Sequence, residues 1–222
     1  MDPWQPIWTS LRVGLAATLC AFPLGLLLAG IAAHWRFRYW VWAESLILLP
    51  LLLPGPVLGY SVLMAVTATG PVGFASRYGQ GSPILFSESV AVLAAILHTV
   101  PLVALLAVAA LRDIPRVYFK LAGVLGIAEW RVFLRIALPL AARPLAAIAV
   151  LAMARAMSEF GIFLLLAHPA KQSAVTLPWA LSHGIFSAAD LHRVLLWFAV
   201  SLALTLLLLA AAMRIRSTGR PV

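Results

Sequence analysis

Two ionisable side chains interrupt one of the most apolar runs of this chain. The stretch ARAMSEFG carries Arg155 and Glu159, four residues apart. On a helix this spacing puts both side chains on one face, within reach of each other. A charge at the centre of a bilayer costs about 2.5–3.5 kcal/mol on insertion scales, and pairing offsets part of that cost. Such a pair suits either of two jobs. It can face a transport pathway or a subunit interface, where it senses an anion or holds a gate, or it can lie inside a helix bundle as a structural pair. Other residues that could do chemistry are sparse. His98 stands alone on its apolar run, and His168, His183 and His192 lack the H-x-x-x-H or H-E-x-x-H spacing of a metal site. No paired catalytic groups fall at membrane depth. There is also no G-x-x-x-x-G-K-S/T phosphate loop. An intramembrane enzyme is therefore the poorer reading, and no catalytic residue, metal or cofactor is expected. Cys20, the one cysteine, has no intrachain partner and reads as a packing residue.

The elements that must position these residues are membrane spans. Of the 222 residues, 64% are hydrophobic and 10% charged, against about 45–50% and about 25% in soluble domains. Five apolar runs reach the roughly 20 residues a span requires: Val13–Ala33, Ala43–Thr69, Val90–Leu111, Pro144–Ala167 and Val194–Met213. The expected fold class is all-α, a polytopic membrane helical bundle of about five transmembrane helices, with residues 1–222 as a single domain. The first run lacks a small-residue cleavage site and reads as an uncleaved signal anchor. The segment Ala174–Phe186 is too short to span and is expected at the outer interface.

The net charge of +9 could suggest nucleic acid, but the basic residues cluster at the ends of apolar runs, where they set topology. With the N-terminus outside, 11 Lys and Arg residues fall inside: Arg36, Arg38, six in the 112–143 loop and three in the tail. Only Arg12, Arg77, Lys171 and Arg193 fall outside. The positive-inside rule then puts the N-terminus out, the C-terminus in, and a loop of about 112–143 in the cytoplasm. No nucleic-acid partner is expected, only membrane lipid.

The second run reads LLPLLLPGPVLGY, with Pro50, Pro54 and Pro56 closely spaced. Each proline removes an amide donor and disturbs the preceding turn. In lipid the freed carbonyls must find partners in neighbouring helices or a water-lined cavity. This run is either a pathway-lining helix broken near its middle or a kink fixed by packing.

The cytoplasmic loop contains KLAGVLGIAEWRVFLRIALP. Leu121, Val124 and Leu125 share a helical face, Gly126 permits a bend, and a second short helix carries Trp130, Phe133 and Leu134 with Arg131 and Arg135. Pro139 is expected to stop it. A helix, a bend and a second helix form a knob that fits a groove on a soluble partner or an interfacial pair lying on headgroups.

Here the residues carry a resemblance. Ala122, Gly126, Ile136, Leu138 and Pro139 match the spacing of a cytoplasmic signature, E-A-A, three residues, G, nine residues, I-x-L-P. The segment thereby resembles the permease subunits of binding-protein-dependent ABC importers, with Lys120 and Leu121 where Glu and Ala are usual. SLRVGLAATLCAFPLGLLLA, LLPLLLPGPVLGY, ATGPVG, ARAMSEFG and TLPWAL resemble further elements of molybdate-type permeases. Gly55 stands where a second proline is common, and AHPAKQ departs from a Gly/Asn-rich turn. Sulfate and tungstate permeases share parts of the pattern. The resemblance implies a type I importer permease in the bacterial inner membrane, moving an oxyanion, molybdate ahead of sulfate, thiosulfate or tungstate. It implies that the five signature residues contact a cytoplasmic ATP-binding cassette subunit, which hydrolyses the ATP. It further implies a periplasmic oxyanion-binding protein and a second permease subunit, expected to be an identical copy. Glu44 and Glu159 are the only acidic residues in the runs, which suits passage of a dianion.

Overall fold

The computed structural model describes residues 4–34, 40–66, 88–115, 117–159, 161–162, 176, 178, 180 and 191–217. The turn at 68–73, the stretch at 167–172, most of 174–186, and Arg36, Arg38, Arg77, Arg116, Arg220, His168 and His183 lie outside the described residues. Among the described residues the regular structure is helical throughout.

Among the described residues, three helices are long and apolar enough to cross a membrane unaided. They are α1 (Gln5–His34), α4 (Glu88–Arg112) and α9 (Leu191–Ser217). The second apolar run divides into α2 (Trp40–Leu52) and α3 (Gly55–Val66), bent by 108° at the break. Pro54 lies in that break and has no N–H, so the helical bond to the Pro50 carbonyl cannot form. A break near the middle of this run was expected, and it amounts to a sharp elbow. The cytoplasmic segment starts with α5 (Val117–Val124). It continues through α6 (Glu129–Val132), a π-helical turn (Phe133–Ala137) and α7 (Leu138–Leu140). After a 76° bend comes α8 (Ala142–Met157).

Two expectations need correction. Pro139 does not stop the second cytoplasmic helix. The chain absorbs its missing N–H in the π turn, where the Leu138 N–H donates to the Phe133 carbonyl. The bend falls at Ala141, whose φ of −85° and ψ of 1° lie in the bridge region. The fourth span is also not one helix over Pro144–Ala167. α8 ends at Met157, and Ser158 folds back so that its Oγ donates to the Ala154 carbonyl at 2.7 Å.

α4 is the central helix: 56% of its most apolar stretch is buried, against 22% for α1 and 11% for α9. Lipid is as apolar as leucine, so close contact rather than exclusion of water selects the buried residues. They are accordingly small. Ala17, Ala91, Ala94, Ala107 and Ala152 are fully buried. Gly25 lets α1 approach α4 so closely that a Cβ there would lie 2.7 Å from the Val103 Cβ. One cluster packs α1, α4 and α8 through Ala29, Val103, Leu111, Leu145 and Ile148. Another sets α3 on α4 through Leu58, Val62, Val90 and Ala94, with Ile162. Arg12 and Glu88 pair at 3.4 Å, tying the starts of α1 and α4 at the same end of the bundle.

Candidate functional site

Two groups of residues stand out, at opposite ends of α8. The first is the signature segment. α5 closes in a Schellman turn: Gly126 adopts φ +68°, its N–H donates to the Gly123 carbonyl, and the Ile127 N–H donates to the Ala122 carbonyl at 2.9 Å. This explains two signature positions physically. Gly126 is glycine because the turn needs a left-handed residue. Ala122 supplies the carbonyl that the turn satisfies and is itself buried. Around this turn the surface is apolar and open. Val124 is 86% exposed, Leu125 73% and Trp130 62%, with Leu121 beside them. The Arg131 guanidinium lies 5.3 Å from the centre of the Trp130 ring. On the second arm Ile136 and Leu138 are half-buried, Pro139 is exposed, and Ala137 and Ala141 anchor the arm in the core. Lys120 is exposed on α5.

The second group is a charge cluster in which Glu159 and His98 are buried and Arg155 is half-buried. Arg155 Nη1 donates to Glu159 Oε2 at 2.7 Å, which realises the i, i+4 pair. Because α8 ends at Met157, the pair spans the helix terminus instead of lying along one continuous face. Arg155 sits in the last turn of α8, where the helix dipole favours a cation. Glu159 is 5% exposed, and it lies over the start of α3: a Cβ on Gly55 would fall 2.5 Å from Glu159 Oε1. A carboxylate is favoured there by the positive end of α3. Gly161 packs on the same elbow, and a Cβ there would lie 2.7 Å from Pro56 Cδ. The elbow and the ion pair, read separately in the sequence, are therefore one site. Pro54 and Pro56 are exposed and Pro50 half-buried around it.

His98, alone on its own apolar run, is the third member of the cluster. Arg155 Nη2 donates to His98 Nε2, and the same nitrogen lies 3.6 Å from Glu159 Oε2. The signal for this was present. An ionisable side chain inside a span needs a partner, and His98, Arg155 and Glu159 all fall within spans. Helix rise also matches their depths, since His98 is about 21 Å from Arg112 along α4 and Arg155 about 18 Å from Arg143 along α8. Among the described residues no cluster of three or more His, Cys, Asp or Glu could hold a metal ion.

With this geometry in hand, the chain compares clearly with known proteins. Residues 21–215 match the family model for the binding-protein-dependent transport system inner membrane component. The molybdenum transport system permease protein of Escherichia coli (strain K12) is 35% identical over 161 residues, covering 72% of this chain and 70% of that protein. The corresponding protein of Haemophilus influenzae is 32% identical over 203 residues, 90% of this chain and 89% of its own length. The fold is similar to a solved bacterial alginate ABC transporter in complex with a pentasaccharide-bound periplasmic protein. The TM-score there is 0.81 at 18% identity, covering 100% of this chain and 82% of that one.

Proposed function

The chain belongs to the binding-protein-dependent transport system inner membrane components, and from that membership we propose that it forms the translocation pathway for molybdate. It is a multi-pass inner-membrane permease subunit of an ABC importer and not an enzyme. The observation that carries the cargo is the relationship to molybdenum transport permeases over nine-tenths of the chain. The absence of a phosphate loop agrees with ATP hydrolysis by a separate cassette subunit. In this reading α5, the Gly126 turn and the arm carrying Ile136, Leu138 and Pro139 form the knob that enters a groove on that subunit. The exposed Leu121, Val124, Leu125 and Trp130 supply its apolar contact. The N-terminus lies outside, the C-terminus and residues 112–143 inside, and a second copy completes the pathway. A periplasmic binding protein delivers the anion. Arg155, Glu159 and the Pro50, Pro54 and Pro56 elbow belong to the pathway wall.

ATP hydrolysis tests this reading. The purified subunit alone should hydrolyse none. In membranes with the cassette subunit, molybdate-loaded binding protein should raise hydrolysis and sulfate-loaded protein should not. Stimulation by sulfate-loaded protein alone would move the cargo to sulfate, and hydrolysis by the isolated chain would overturn the assignment.

A further inference from the structure

The His98 ring adds a further link at the site where the elbow and the ion pair meet. Its Nε2 accepts from Arg155, a permanent donor, so the ring's proton resides on Nδ1. His98 is 3% exposed, and among the described residues Nδ1 has no hydrogen-bond partner. A buried N–H without an acceptor is costly, and more so in a membrane. One unmatched acceptor lies beside it. The Pro50 backbone is near enough to act on the ring electrostatically, and the ordinary helical donor to its carbonyl, residue 54, is a proline. A donor without a partner and a carbonyl without its helical donor thus belong to one neighbourhood, at the elbow between α2 and α3.

We propose that His98 is a positioning residue that latches the α2–α3 elbow to the Arg155–Glu159 pair, through Nε2 on Arg155 and through Nδ1–H to the Pro50 carbonyl. The inference rests on the permease reading and deepens it by naming what holds the broken span in place. The latch grips the elbow on both sides of its break. Glu159 Oε1 bears on Gly55 at the start of α3, and the ring bears on Pro50 near the end of α2. Both grips depend on Arg155, the cation common to His98 and Glu159. The latch has two discrete states, with the Nδ1–H to Pro50 bond either made or broken according to the position of the elbow. A kinked helix held only by apolar packing has no such discrete states.

The test uses the assembled importer, with the permease carrying Cys20→Ser and Leu53→Cys. Leu53 is half-buried at the elbow, so its labelling by a water-soluble maleimide reads elbow opening without reference to cargo. His98→Ala should raise the labelling rate about tenfold and lower molybdate uptake per assembled complex about tenfold, with cassette association unchanged. His98→Gln keeps an amide donor and acceptor and should stay within about threefold of the parent on both readouts. Pro54→Ala restores an N–H that can take the Pro50 carbonyl. In that background His98→Ala should add little, because the acceptor is already occupied. Parental labelling and uptake in His98→Ala would overturn the latch. So would full, independent effects of His98→Ala and Pro54→Ala in the double variant, which would remove Pro50 as the partner. If the parent imports no molybdate but labelling still responds to His98→Ala, the cargo assignment fails and the latch stands.

Discussion

At the scale of single residues, two positions matter most, Gly126 and Glu159. Gly126 is held at φ +68°, a conformation that costs non-glycine residues about 1–2 kcal/mol. A Cβ there meets nothing within 4 Å, so the cost is conformational and not steric. Gly126→Val should therefore unmake the turn while leaving the bundle inserted. Copurification of the cassette subunit should fall and uptake should be lost. Gly126→Asn, which tolerates the left-handed region, should keep most of both. Normal association with Gly126→Val would separate this turn from coupling. The second position is Glu159. Breaking a buried ion pair costs about 3–5 kcal/mol, and the lower end applies because the Arg155 side chain keeps 36% exposure. Glu159→Gln should reduce assembled complex and uptake together. The surroundings also fix the polarity of the pair, with the cation at the C-terminal end of α8 and the carboxylate at the N-terminal end of α3. The exchange of Arg155→Glu with Glu159→Arg should then fail to restore assembly, since it faces both dipoles the wrong way and presses a longer side chain on Gly55. Recovery of wild-type assembly by the exchange would show that only pairing matters.

At the scale of elements, the decisive contact is between the elbow and the Glu159–Gly161 turn. Gly161 admits no Cβ, since that atom would lie 2.7 Å from Pro56 Cδ and 3.0 Å from Gly55 Cα. Gly161→Ala should lower the stability of the detergent-solubilised subunit by about 1–3 kcal/mol, the usual range for overpacking. Gly123, inside α5, has open space around it. Gly123→Ala should be neutral or raise stability by up to about 1 kcal/mol. Equal thermal denaturation midpoints for the two variants would contradict the packing described. This contact also marks where the sequence stopped being legible. Apolar length and proline spacing were enough to place the three long helices and the broken second run, because those depend on local composition. The end of α8 at Met157 depends on Ser158, on the anchoring of Glu159 and on the approach of Pro56 from another element, and none of these is a local signal. The misplaced stop at Pro139 has the same origin. A missing N–H forces some disturbance, but only packing of Ala137 and Ala141 decides that it becomes a π turn and a bend two residues on. His98 was legible in principle through the rule that buried ionisable groups need partners, but its partners lie 57 and 61 positions away in the chain.

At the scale of the whole molecule, charge, topology and cargo must agree. The basic ends of α4 and α8, Arg112 and Arg143, lie with the signature segment, and Arg12 and Glu88 mark the opposite end. A reporter fused after Val222 should therefore be cytoplasmic, and a tag ahead of Trp4 should be reachable from outside intact cells. Cytoplasmic placement of both would require another crossing and would detach the signature from the ATPase side. In the most apolar stretches of α1 and α9 only 22% and 11% of the residues are buried, which suits contact with lipid. The assignment as a whole is tested most directly by uptake into proteoliposomes. These would contain this subunit with its cassette partner, ATP inside, and binding protein loaded with labelled molybdate outside. Accumulation should need ATP, need the binding protein, resist excess sulfate, and disappear with Gly126→Val. Accumulation of molybdate without ATP, or no accumulation with every component assembled and hydrolysing ATP, would contradict the assignment.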